Sequence, residues 1–343
     1  MKPTPQSPLV SLLALASLGV MGVAYFAPQW WVSLTAPNYP AELFPDGIRI
    51  AFGFDGVSNG CTTAPKASRA AQETTQEDLG WRSEEEGAHE APKSAESMGA
   101  LDCVHEMNTI NHYVGMRPMG VGAPVEILLG RYILAMFGVM LLGFALGHRP
   151  ARIPVLGAGF AGVAGWMLFD LFGRGWLDAA VTRYKDDASK YFNEAERIAA
   201  WGEQLRSAAL IAAVALVILM AFVVFASWRL RRFQLLLGLV PAFLPVYFVG
   251  AFAAWLWFFG HHMHPWGAFT LKPFMPTVFG DGKVAQFTTH SYPDWGFGLL
   301  VAMLLLLIPA VAMRRLELAS AGDHASEKPP PPEGPPEQPQ GAQ

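Results

Sequence analysis

The chain has 343 residues, 52% of them hydrophobic and only 15% charged, with a mean hydropathy of +0.28. A net charge of −4 and a pI near 6.1 leave no basic patch, which excludes nucleic acid as the expected partner. The apolar residues gather in runs, so the expected class is a polytopic membrane protein with the lipid bilayer as its first partner. Its 11 Trp residues suit interfacial belts, where amphipathic rings sit at headgroup level.

Six runs approach the roughly 20 apolar residues that a hydrocarbon core requires. They lie near Leu9–Ala27, Ile127–Gly147, Ile153–Gly173, Ala208–Trp228, Leu235–Phe259 and Phe297–Met313, and Pro241 and Pro245 should kink the fifth. Lys2, the basic loops at 148–152 and 228–232, and Arg314-Arg315 all fall on one side of a six-span arrangement. By the positive-inside rule that side is the cytoplasm, which puts both termini inside and the larger loops on the opposite, extracytoplasmic face. The first run lacks a small-x-small cleavage pattern, because Tyr25 stands where a small residue is needed. It reads as an uncleaved anchor.

In chain order, residues 1–27 form the amino terminus and anchor, and 28–125 a small mixed extracytoplasmic domain. Trp30 and Trp31 stand at the expected bilayer interface, and Ile48–Phe54 alternates as a short strand does. Residues 62–100 are acidic and poor in large aliphatics, so this insert is expected to be disordered. Cys61 and Cys103, the only cysteines, flank it and are expected to pair in an oxidising compartment. A thiolate metal ligand at Cys103 is the alternative.

The segment 103–119 holds one Cys, two His and three Met, soft and imidazole donors of the kind copper(I) prefers. If it is helical, His112 and Met116 share a face, with Met119 a further neighbour; if it is a strand, Cys103, His105 and Met107 share one. A loop folded on the membrane surface is the plainer reading.

Residues 126–315 form a five-helix bundle with outer loops at 174–206 and 260–295. In the first loop Trp176, Ala180, Tyr184, Tyr191, Ala195 and Ile198 can form an amphipathic stripe, although a solvated connecting helix fits as well. The second loop opens with His261, His262 and His264, the second candidate metal group, and its Pro and Gly residues allow at most a short hairpin. Histidines at an interface also simply hydrogen-bond to water or headgroups. Residues 316–343 are Pro-rich and expected to be a disordered cytoplasmic tail. Glu126, Arg131, Asp170 and Arg174 all belong to the outer half of their spans, and an Arg131–Asp170 pair is the simplest way to bury such charges.

No span contains an interior histidine, and there is no Cys-x-x-Cys-His, which disfavours haem. The chain has no nucleotide-binding loop, nucleophile elbow or His-Glu-x-x-His, so a non-enzymatic role is expected.

Three stretches carry a resemblance: Trp31-x-x-Leu34-x-Ala36-Pro37-x-Tyr39-Pro40, Asn111-His-Tyr-Val-Gly-Met116, and the loop from Lys272-Pro-Phe-Met-Pro276 to Ser291-Tyr-Pro293. On these residues the chain resembles a poorly characterised family of bacterial multi-span membrane proteins. Its members often accompany genes for the periplasmic copper enzyme nitrous oxide reductase and its copper-delivery machinery. The resemblance implies a role in supplying or maturing an envelope copper protein, and it offers no catalytic residues. The acidic insert is an addition to the family's pattern.

The leading expectation is therefore an accessory protein that binds or relays copper, through His112, Met116 and Met119 first, and His261, His262, His264 and His105 second. Its partner would be a periplasmic or membrane-bound metalloprotein. The rival is a membrane anchor or electron-transfer subunit that docks a cytochrome or quinol. A solute transporter is third, with no internal repeat to support it.

Overall fold

A computed structural model describes residues 6–41, 44–61, 102–118, 122–265, 267, 271–284 and 286–326. The acidic insert, Met119 and the Pro-rich end beyond Ser326 lie outside the described residues. The chain runs α1 (Pro8–Tyr25), β1 (Trp30–Thr35), β2 (Ile48–Gly53), β3 (Gly56–Asn59), α2 (Cys103–Tyr113), α3 (Pro124–Leu146) and α4 (Arg149–Leu168). It continues with α5 (Trp176–Ser189), α6 (Ala195–Arg229), α7 (Gln234–Ala242), α8 (Leu244–His261), β4 (Gly280–Val284), β5 (Phe287–Pro293) and α9 (Trp295–Ser326).

Six helices are long and apolar enough to cross a membrane: α1, α3, α4 with its continuation to Gly173, α6, α8 and α9. Their outward faces carry bare Leu12, Ile211, Phe222 and Leu305, which suits a lipid surround. The fifth run is broken rather than kinked. Pro241 and Pro245 remove two helical donors on either side of Phe243, so α7 ends and α8 starts afresh. The last helix runs past Arg315 to Ser326, so the expected tail begins later than 316.

The first and third outer segments form one antiparallel sheet of five strands, in the order β3-β2-β1-β5-β4. The central strand β1 pairs with β2 on one side (Val32 opposite Ile50) and with β5 on the other (Val32 opposite Ser291). Strand β2 alternates buried and half-buried side chains as a one-sided sheet requires. Its inner face places Ile48, Ile50 and Phe52 in a cluster with Trp30, Met107, Met116 and Phe252. The Trp30 indole N–H donates to Ser291 Oγ at 2.9 Å, which joins the central strand to its neighbour by side chains as well. The expected Cys61–Cys103 disulfide is present and ties α2 to the chain just past β3.

The loop 174–206 is not one helix. Helix α5 ends at Ser189 and α6 begins at Ala195, and the turn between them sends Phe192 into the core. Helix α5 buries Leu177, Val181, Tyr184 and Ala188, and it packs on α6 where Gly202 meets Val181 and Lys185. Of the expected stripe Tyr184 and Ile198 are buried, Ala180 and Tyr191 half-buried, and Trp176 and Ala195 exposed.

The expected Arg131–Asp170 pair does not form. A π-helical turn at Phe169–Gly173 carries Asp170, which is 1% exposed, towards Tyr132 (2.9 Å) and Arg174 of its own turn (3.2 Å). Arg131 lies instead over the Trp176 ring, 3.8 Å from its centroid. A guanidinium on an indole face keeps its charge stabilised without a carboxylate.

Candidate functional site

The side chain of Asp102 accepts from the N–H groups of Val104 and His105, so the donor-rich segment starts as a capped helix. Helical phase separates the three residues that a strand would have aligned. Cys103 and Met107 are buried and His105 is exposed. At the other end Gly115 takes φ +80°, and the Met116 N–H returns to the Asn111 carbonyl at 2.8 Å. That turn stops the helix after Tyr113 and throws Met116 back under the sheet.

The hexapeptide 111–116 therefore faces two ways. Asn111 and Met116 line a cavity of about 90 Å3 beneath the sheet, with Met107, Ile50, Phe52 and Leu256 among its walls. His112 points away from it, with ring contacts to Tyr191 and Phe192 at 6.2 and 5.2 Å between centroids. His112 and Met116 are not brought together as a ligand pair. Three buried polar atoms in this turn lack hydrogen-bond partners among the described residues: Asn111 Nδ2, His112 Nδ1 and Arg117 Nε.

The turn is backed by the Tyr191–Glu194 connection. His105 Nδ1 lies 3.1 Å from the Tyr191 hydroxyl, whose pKa is raised chiefly by burial. Phe192 separates His112 from His264, whose ring centroid is also 5.2 Å from it. Arg117 lies over the Trp201 and Phe258 rings at 4.3 and 5.3 Å. Nothing in the composition of 190–194 marks it as a hub. Its one signal is Tyr191-Phe192 interrupting an otherwise charged stretch.

The second candidate group is dispersed. His261 Nδ1 meets the Trp257 carbonyl at 2.8 Å and His262 Nδ1 meets the Phe258 carbonyl at 2.9 Å. A carbonyl only accepts, so each Nδ1 must carry the proton. These two rings cap the open carbonyls at the end of α8 and stack on Trp257 and Phe258. His264 is buried, with Nε2 3.1 Å from a Glu194 carboxylate oxygen that Arg197 also reaches at 2.8 Å. The three imidazoles thus serve three separate partners, and they do not fit one shared ion.

Among the described residues no three His, Cys, Asp or Glu side chains gather as a metal-holding group. Cys103 is spent in its disulfide. The cavity beneath the sheet offers two thioethers, one amide and the hydroxyls of Thr277 and Thr289 but no charge among its lining side chains, so a bare cation there would lose its hydration with little return. What remains is the His112 imidazole, which has Tyr113, Tyr191 and Phe192 as ring neighbours and whose buried Nδ1 has no hydrogen-bond partner among the described residues. No family model matches the chain, and no curated protein or solved structure matches it either.

Proposed function

We propose that this is a non-enzymatic accessory protein of the bacterial inner membrane, with its sheet-bearing head in the periplasm, that handles copper(I) at the Asn111–Arg117 turn. One observation carries the proposal. Three buried polar atoms within that segment have no hydrogen-bond partner among the described residues, and native proteins leave few such atoms, so a cluster of them marks a site shaped by something other than stability. The donor is His112, with His105 two helical turns back on the same face of α2. Met116 supports the turn from the sheet side rather than sharing the ion.

A site with so few protein donors holds copper(I) loosely and leaves coordination positions open. A partner's sulfur or imidazole can then enter before His112 leaves, so the ion passes by ligand exchange without a change of oxidation state. The recipient is an envelope metalloprotein docking on the head.

The test is copper(I) titration of the purified full-length protein against bathocuproine disulfonate. One ion per chain is expected, weakened at least tenfold in His112→Ala and unchanged in His261→Ala and His262→Ala. No binding, or full binding by His112→Ala, would end the proposal.

A further inference from the structure

A separate feature lies within the bundle, below the sheet. Helix α7 packs closely on α3, where Gly238 meets Phe144, but after the proline break α8 stands off from α3. A crevice of about 100 Å3 separates them. Leu244 and Tyr247 line both this crevice and a second gap of about 320 Å3 that reaches Phe137. From Glu126 to Phe137 the groove follows α3 for about 16 Å, at 1.5 Å of rise per residue.

The walls are specific in chemistry. Phe52, Phe54, Phe248, Phe252, Trp255 and Tyr247 present aromatic rings, and glycines, Gly130 among them, flatten the side formed by α3 and the tips of β2 and β3. The one charged group in the lining is Glu126, in the first turn of α3, where the helix dipole favours a carboxylate. One of its oxygens accepts from the Trp255 indole N–H at 2.9 Å. The other has no hydrogen-bond partner among the described residues.

We propose that this crevice binds a prenylated quinol: its flat hydroxylated ring lies between the aromatic walls, one ring hydroxyl donates to the free Glu126 oxygen, and its isoprenoid tail follows the groove towards Phe137. Aromatic side chains favour offset stacking on a flat ring, which a phospholipid head cannot supply. A carboxyl oxygen facing an otherwise apolar crevice offers an acceptor that a ring hydroxyl can donate to and that a hydrocarbon chain cannot use. Binding alone is inferred, with no electron transfer. It is independent of copper handling at the Asn111–Arg117 turn.

The experiment is native mass spectrometry of the intact protein in detergent with decylubiquinol, with phosphatidylethanolamine as competitor. One adduct per chain is expected, weakened at least tenfold in Glu126→Gln and lost in Gly130→Leu, whose side chain fills the crevice. Ala251→Leu, on the opposite wall, gives the same blockade should Gly130→Leu fail to fold. The proposal is overturned if the wild type takes no adduct, if Glu126→Gln and Ala251→Leu hold it as the wild type does, or if equimolar phosphatidylethanolamine displaces it.

Discussion

The backbone N–H of His264 donates to the carbonyl of Gly115 at 2.6 Å, so the third outer segment is latched to the turn that ends α2. A side chain at Gly115 would collide with the His264 carbonyl, and the residue already sits at a φ that L-residues disfavour. Gly115→Ala is expected to destabilise the head by about 1–3 kcal/mol. Thermal unfolding checks this, and hydrogen exchange should show faster exchange at 111–116 while the spans stay protected.

The disulfide closes a loop of sequence separation 42. On the chain-entropy account, such a cross-link stabilises by about 4 kcal/mol through the unfolded state. Cys61→Ser with Cys103→Ser should lower the melting temperature of the head and free α2 from β3. Treatment with a reductant should reproduce the effect in the wild type and do nothing in the double variant.

In the hairpin of β4 and β5, Asp281 accepts from His290 Nδ1 at 2.7 Å and from the Tyr292 hydroxyl at 3.0 Å. These bonds, His290's first, hold its carboxyl below the usual carboxylate range. A carboxyl depressed in the folded state stabilises above its unfolded pKa, about 3.9, and that contribution disappears as pH falls through the folded value. Exchange protection at 280–293 should therefore be level from pH 7 to about pH 5 and fall below about pH 4. Asp281→Asn should remove the acid-side slope. An equal slope in that variant would show that other groups cause it.

Trp30 is 3% exposed and packs against Phe252, Phe297 and Phe248 at 5.5–6.4 Å between ring centroids. It is where the sheet meets α8 and α9. Trp30→Ala should cost about 3–5 kcal/mol, and Ser291→Ala, which removes its hydrogen-bond partner together with the bond from the Ser291 hydroxyl to the Val278 carbonyl, about 1–3 kcal/mol. Denaturation of the two variants side by side separates packing from the bond.

Much of the architecture was legible because it rests on long signals. Apolar runs place six spans, and the two cysteines on either side of the insert were enough to expect their bond. The alternation at Ile48–Phe54 became β2, and the Gly- and Pro-rich third loop became the expected hairpin. Short signals misled. Cys103, His105 and Met107 have the period of a strand, but a single capping side chain, Asp102, sets a helix and points them apart. His261 and His262 looked like ligands because composition cannot register that helix α8 ends there with carbonyls to satisfy. Arg131 and Asp170 were matched by charge alone, and a π turn and an indole face gave each a nearer partner. The crevice beside Glu126 had no local sequence signal, since it comes from two helices standing apart.

Strand β1 gains one neighbour at once and the other only after most of the protein has been made. Its bond with β2 spans a short loop, whereas β5 arrives after four further spans. At 5–20 residues per second the interval between Thr35 and Phe287 lasts on the order of ten to fifty seconds. Throughout it, the middle strand of the finished sheet is an open edge, able to pair with any extended chain nearby. Biogenesis of this protein therefore carries a window of vulnerability that the mature fold conceals. A chain cut short before β5 keeps that edge permanently, which makes it a substrate for quality control even with its first five apolar helices complete.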